Sequence, residues 1–103
     1  MNQTINKNME IKREEHGKKG AFFVEDEDGD WIAEMTYSRE GQRKIIIDHT
    51  EVDDSMQNQG IGEQMVEAAV KFAEENNLLI KPTCPFVKKI LESDEKYEDV
   101  LTR

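Results

Sequence analysis

The chain has 103 residues, of which 36% are charged, and a formal net charge of −9, with a sequence pI near 4.7 and a mean hydropathy of −0.82. That is room for one small domain, and its surface sign repels a phosphate backbone and so speaks against a nucleic-acid partner. No apolar run approaches the roughly 18–20 residues that span a bilayer, no signal-peptide pattern opens the chain, and the one cysteine, Cys84, excludes an internal disulfide.

Residues 1–8 are polar and expected to fray, leaving 9–103 as a single domain with a thin core. Residues 9–14 form a weak first strand, and the turn at 17–20 leads into a second at 21–24. The acidic loop 25–30 contains Asp28-Gly29, a strong hairpin signal. Asp26, Asp28 and Asp30 alternate as calcium ligands do, but the segment lies between strands and Tyr37 stands where an EF-hand loop needs its closing Glu. No metal is therefore expected. Trp31, Ala33, Met35 and Tyr37 alternate with Ile32, Glu34 and Thr36, which predicts a strand with one buried face. A turn at 40–42 leads into the strand 44–52, completing an antiparallel meander.

Ile61, Met65, Ala68, Ala69, Phe72 and Ala73 predict a helix from about 60 to 76. Residues 78–83 form a short strand, parallel to 45–52 through a right-handed crossover. Pro85 starts a second helix to about Glu92, with Phe86, Val87, Ile90 and Leu91 expected inward. The tail from 93 to 103 is expected to dock loosely through Tyr97, Val100 and Leu101. The fold class is α/β (α+β): a meander leading into a parallel strand pair with a crossover helix.

The stretch Gln57-Asn58-Gln59-Gly60-Ile61-Gly62 places two glycines where a strand hands over to a helix. Each costs roughly 0.8–1.0 kcal/mol against alanine inside a helix, a cost that close backbone approach to another group can offset. A helix N-terminus carries unpaired N–H groups and positive partial charge, so it suits an anion such as pyrophosphate. The other reading is a glycine turn that only redirects the chain.

The order strand, Gln57-x-x-Gly60-x-Gly62, helix resembles the acetyl-CoA signature of the GNAT superfamily of N-acetyltransferases, Gln/Arg-x-x-Gly-x-Gly/Ala. The string from His49 to Phe86, with its HTEV strand end and Cys-Pro-Phe, resembles the compact single-domain branch. The resemblance implies a GNAT-like fold in which two parallel strands splay around a pantetheine arm. It implies that Thr50 and Val52 pair with pantetheine amides, and that backbone amides of Gln57, Asn58, Gln59, Gly60, Ile61, Gly62 and Glu63 hold the pyrophosphate. Gln57 and Asn58 depart from the commoner Arg and Gly of the motif. The chain is also short for the superfamily, without room for the helices that usually help build the acceptor site.

Cys84, just before Pro85, falls at a helix N-cap, where the dipole favours a thiolate. It is read either as an acyl-handling or acid group or as a buried structural cysteine; the compact branch has a cysteine proposed at this place. Lys88 and Lys89 stand close enough in sequence to assist a thiolate or a CoA phosphate. Many GNAT enzymes protonate the leaving thiolate with a tyrosine in the last helix, where this chain has Ile90 and Leu91. His49 and Glu51 share one face of their strand, with Thr50 on the other, and are candidate bases for an ammonium proton.

The function expected is transfer of an acetyl group from acetyl-CoA to a small-molecule or peptide amine, drawn by the acidic surface. The alternatives are an acyl-CoA-binding module without turnover and a small interaction domain with a relict fold. The expected protein is cytoplasmic, without nucleic acid, membrane or metal, and a monomer or weak homodimer.

Overall fold

The structure is a computed structural model that describes residues 10–102. The expectation that residues 1–8 fray, and the first-strand start at Met9, lie outside the described residues. Five strands follow in chain order: β1 Lys12–His16, β2 Lys19–Glu25, β3 Trp31–Glu40, β4 Lys44–Val52 and β5 Leu79–Pro82. Helix α1, Ile61–Glu75, joins β4 to β5, and α2, Pro85–Glu92, follows β5. Single 3-10 turns lie at Asp54–Met56 and Glu95–Tyr97.

The sheet order is β1-β2-β3-β4-β5. The first four strands are antiparallel neighbours, and β4 pairs with β5 in parallel. The acidic loop is the tip of the β2–β3 hairpin. The Asp26 carboxylate accepts from the amides of Asp28 at 2.9 Å and Asp30 at 3.0 Å, so it organises the turn itself.

Two bulges decide which residues face the helices. Val24 faces Ala33 but Glu25 faces Trp31, so Ile32 is an extra residue in β3. Trp31 is thereby turned out of the buried series Ala33, Met35, Tyr37 to stack on Phe23, with ring centroids 4.1 Å apart. Strict alternation places it with Ala33; the bulge reverses that. In β4, Thr36 faces His49 while Tyr37 faces Ile47, so Asp48 is extra. Continuing the buried pair Ile45 and Ile47 by twos leads to His49 and Glu51. The bulge instead puts Thr50 and Val52 on the helix-packed face and sends His49 and Glu51 to the other.

The core lies between that face and the helices. Phe22, Met35, Tyr37, Ile45, Ile47 and Ile80 meet Met65, Val66, Ala69, Val70 and Ala73 of α1, and Val87 and Leu91 of α2. Val66 and Val70 widen the buried stripe beyond the alanine-rich series read from sequence, while Ala68 and Phe72 are only partly buried. Phe86, expected inward, is 38% exposed. The tail docks tightly: Tyr97 and Val100 are buried, the Tyr97 hydroxyl donates to Glu67, and Leu101 bridges to Ile80 alongside β5. No helix among the described residues is long and apolar enough to cross a membrane.

Candidate functional site

β4 is paired with β3 along its whole length, but its ladder with β5 ends at Ile47 opposite Pro82. There the amides of Thr83 and Cys84 donate to the Ile47 carbonyl at 2.9 and 3.2 Å, and the chain leaves the sheet to begin α2. The last residues of β4 thus keep a strand edge with no strand beside it. A cavity of about 540 Å³ opens against this edge. Thr50 and Val52 form one side, the loop and first turn of α1 from Met56 to Glu63 form another, and Phe86 closes the third.

The loop is shaped by two left-handed residues, Asn58 at φ 66° and Gly60 at φ 77°. Gly60 is the N-cap of α1 and offers no side-chain cap, so the first-turn amides have no intrahelical partner, and Gly60, Ile61, Gly62 and Glu63 line the cavity. Gly62 serves a different purpose. A Cβ there would lie 2.6 Å from Phe86 Cζ, so the missing side chain is what lets the Phe86 ring pack on α1. Gln57 Nε2 donates to the Val52 carbonyl at 3.2 Å, drawing the loop back over the strand edge.

Of the residues expected to bind a CoA group, Thr50, Val52, Gln57, Asn58, Gly60, Ile61, Gly62 and Glu63 line this one cavity. Gln59 belongs to the same loop but not to the lining, and Lys88 is exposed on α2, also outside it. Phe86 and Met56 were missed. Phe86 had a sequence signal: an aromatic at the start of a helix whose neighbour carries a first-turn glycine. Among the described residues the lining holds no Lys or Arg and one carboxylate, Glu63, so an anion would be held by backbone amides.

Cys84 is the N-cap of α2, with no side-chain cap bond, and is 7% exposed. Its Sγ donates to Thr50 Oγ1 at 3.6 Å, so the thiol reaches the cavity through Thr50. On the opposite face of β4, His49 Nε2 lies 3.4 Å from Glu51 Oε1. Glu34 of β3, directly across from Glu51, joins them, with one ligand atom of each residue within 4.8 Å of the others. Hydrogen bonds from the Ser55 side chain and amide hold the nearby Asp53 carboxyl below its usual range. Residues of one strand end therefore serve two concave surfaces, Thr50 and Val52 on one side and Glu51 and Asp53 on the other.

Comparison with known proteins bears on this arrangement. The family model described as GCN5-related N-acetyl-transferase matches residues 21–100. The structure resembles that of a GCN5-like protein from Staphylococcus aureus, 39% identical, with a TM-score of 0.71 over 92% of this chain and 89% of that one. An acetyltransferase from Bacillus cereus ATCC 14579 shares the fold at 22% identity and a TM-score of 0.58, over 86% of this chain and 70% of that one. Protein NATD1 of Bos taurus is 31% identical over 62 residues, 60% of this chain and 55% of that protein. The chain thus spans about half the length of the curated relatives it matches. Since the matched region runs from β2 through the last turn and contains the whole strand-edge cavity, the chain belongs to the GCN5-related N-acetyltransferase family.

Proposed function

We propose that the protein transfers an acetyl group from acetyl-CoA to an amine. The observation that carries this reading is the open edge of β4 facing an uncapped helix N-terminus across one cavity. The edge of Thr50 and Val52 suits the amides of a pantetheine arm. The first-turn amides of α1 suit a pyrophosphate, each charge-assisted bond contributing about 1.5–3 kcal/mol. The donor set fits the cofactor without a basic side chain, which an acidic chain would otherwise need.

When bound, acetyl-CoA supplies a thioester: the amine forms the C–N bond, the C–S bond breaks, and one proton passes from nitrogen to the departing sulfur. His49 or Glu51 takes the ammonium proton, directly or through water, on the open face. Thr50 and Cys84 stand on the cavity side as a hydroxyl–thiol pair able to return a proton. The buried thiol supports this donor role over an acylated intermediate.

Calorimetric titration with acetyl-CoA, followed by thiol release with a panel of primary amines, tests the reading. Saturable binding and amine-dependent release are expected, with Cys84→Ala lowering kcat more than affinity. Absence of binding would overturn the cavity assignment. An acetyl adduct on Cys84 in intact-mass analysis would replace the donor role with a covalent one.

A second reading, an acyl-CoA-binding module without turnover, is favoured by one observation. Ile90 and Leu91 occupy α2 where a tyrosine acid is common, and the Tyr97 hydroxyl is engaged with Glu67. Binding without amine-dependent release would decide for it.

A further inference from the structure

The side of the β3–β4 pair away from the helices holds a second concavity of about 170 Å³, walled by Trp31, Glu34, Glu51 and Asp53. Trp31 is 38% exposed although its ring is fixed by stacking on Phe23, so a large aromatic surface is held rigid and open to solvent. Glu34 and Glu51 stand directly opposite each other on neighbouring strands, a like-charge pair that is unfavourable until a cation joins it. His49 Nε2 approaches Glu51 only at 3.4 Å. No Lys or Arg lines the concavity among the described residues.

From this concavity, combining a rigid aromatic wall with carboxylates from two strands, we infer a binding site for the second positive charge of a diamine acceptor. The inference rests on the acetyltransferase reading and names its substrate class. Each part of the wall has a task. Trp31 attracts an ammonium group through its ring and packs the alkyl chain, while Glu34 and Glu51 neutralise the charge. Beyond Ile47 there is no β5 beside β4, so His49–Val52 border a gap in the sheet on that side. A diamine with one end beside Trp31 has its other nitrogen free to pass that gap toward Thr50. With Glu51 engaged by the anchored ammonium, His49 borders this route and takes the proton of the reacting nitrogen. A monoamine reaches the same gap without the anchoring charge, which is why acceptor length and charge number are the selected properties.

Trp31 is the only tryptophan of the chain, so its fluorescence reports this site directly, with or without acetyl-CoA. Titration with 1,4-diaminobutane should give a saturable change at least about tenfold tighter than with n-butylamine, since the second charge adds ring and carboxylate contacts. Glu34→Gln, a surface change whose fold is checked by circular dichroism, should weaken the diamine about fivefold or more and leave acetyl-CoA affinity unchanged. Equal responses to diamine and monoamine, or an unchanged diamine affinity in Glu34→Gln, would overturn the inference. So would a response to zinc chloride that Glu34→Gln abolishes, combined with none to the diamine, since the cluster would then be a metal site. Diamine binding without acetyl-CoA binding would sink the acetyltransferase reading and leave a cation site. Acetyl-CoA turnover equally fast with n-butylamine would do the reverse.

Discussion

At the end of the sheet that holds Glu15, Tyr37 and Arg39, polar groups close on one another; at the end that holds Thr50 and Val52, they are left facing a cavity. The Tyr37 hydroxyl donates to Glu15 at 2.7 Å, Arg39 Nε donates to the other carboxylate oxygen at 2.7 Å, and Arg13 reaches the Tyr37 hydroxyl at 2.9 Å. The Arg13 guanidinium lies 4.2 Å from the centre of the Phe72 ring, covering a side chain that α1 leaves only partly buried. Beyond Ile47, by contrast, β4 has no neighbouring strand on the cavity side among the described residues, and the first turn of α1 has no side-chain cap. Rigidity and an accessible backbone thus reside at opposite ends of one small sheet. The closed end fixes the meander against α1, and this fixed frame holds the open end apart when collapse would satisfy its backbone.

The two ends also use glycine differently, and substitutions there separate them. The largest effect is expected from Gly20→Val at the closed end, where a Cβ would lie 2.5 Å from Tyr37 Cζ and 2.9 Å from the Glu14 carbonyl. A loss of about 2–3 kcal/mol in urea unfolding is expected from such overpacking, and protein that remains folded should bind acetyl-CoA as before. Gly62→Ala at the open end should cost less, about 1–2 kcal/mol, because a side-chain ring at the start of a short helix is what must move. Its acetyl-CoA affinity, read by calorimetry, should fall severalfold, and Phe86→Leu in the same chain should restore part of it.

Tyr37→Phe removes only a hydroxyl from the closed network and should cost about 1 kcal/mol in urea unfolding, with acetyl-CoA affinity unchanged. The smallest effect is electrostatic. The Arg39 hydrogen bond, with those of Tyr37 and the charge of Arg13, holds the Glu15 carboxyl below its usual range. A depressed carboxyl contributes stability that is present above its unfolded value, about 4.3, and is lost as pH falls through the folded one. Unfolding measured between neutral and acid pH should show this fall, and Glu15→Gln should flatten it while leaving neutral-pH amine acetylation unchanged.

Much of this frame was legible because periodicity is a local property. The second and fourth strands and the 60–76 helix follow from residue spacing, and the start of α2 from Pro85, all within about two residues of the observed bounds. The first strand begins at Lys12 instead of Met9, and the third continues past Tyr37 to Glu40. What was not legible turns on single inserted residues. Ile32 and Asp48 have nothing in their chemistry that marks them as bulges, yet they decide that Trp31 turns outward and that Thr50, not His49, shares a face with Ile47. Glu34 was read only as the polar half of an alternation, since its partners Glu51 and His49 stand beside it only after β3 and β4 pair. Phe86 was assigned inward by its apolar character, whereas Gly62 gives it a seat at the cavity rim. Tail docking was underestimated for the same reason: Tyr97 finds Glu67, a residue on α1 far away in sequence.

The amides of Ile80 and Thr102 exchange bonds with the last turn, Ile80 N to the Val100 carbonyl at 2.6 Å and Thr102 N to the Ile80 carbonyl at 2.9 Å. The chain's own C-terminal stretch therefore seals the outer margin of β5. The opposite margin is β1, whose sequence Lys-Arg-Glu-Glu-His keeps a hydrated ionic fringe along the remaining edge. Together these make the sheet resistant to adding strands from other molecules. A chain shortened before Val100 loses one of the two protections, and its shelf life in solution, more than its melting behaviour, is where the tail would be missed.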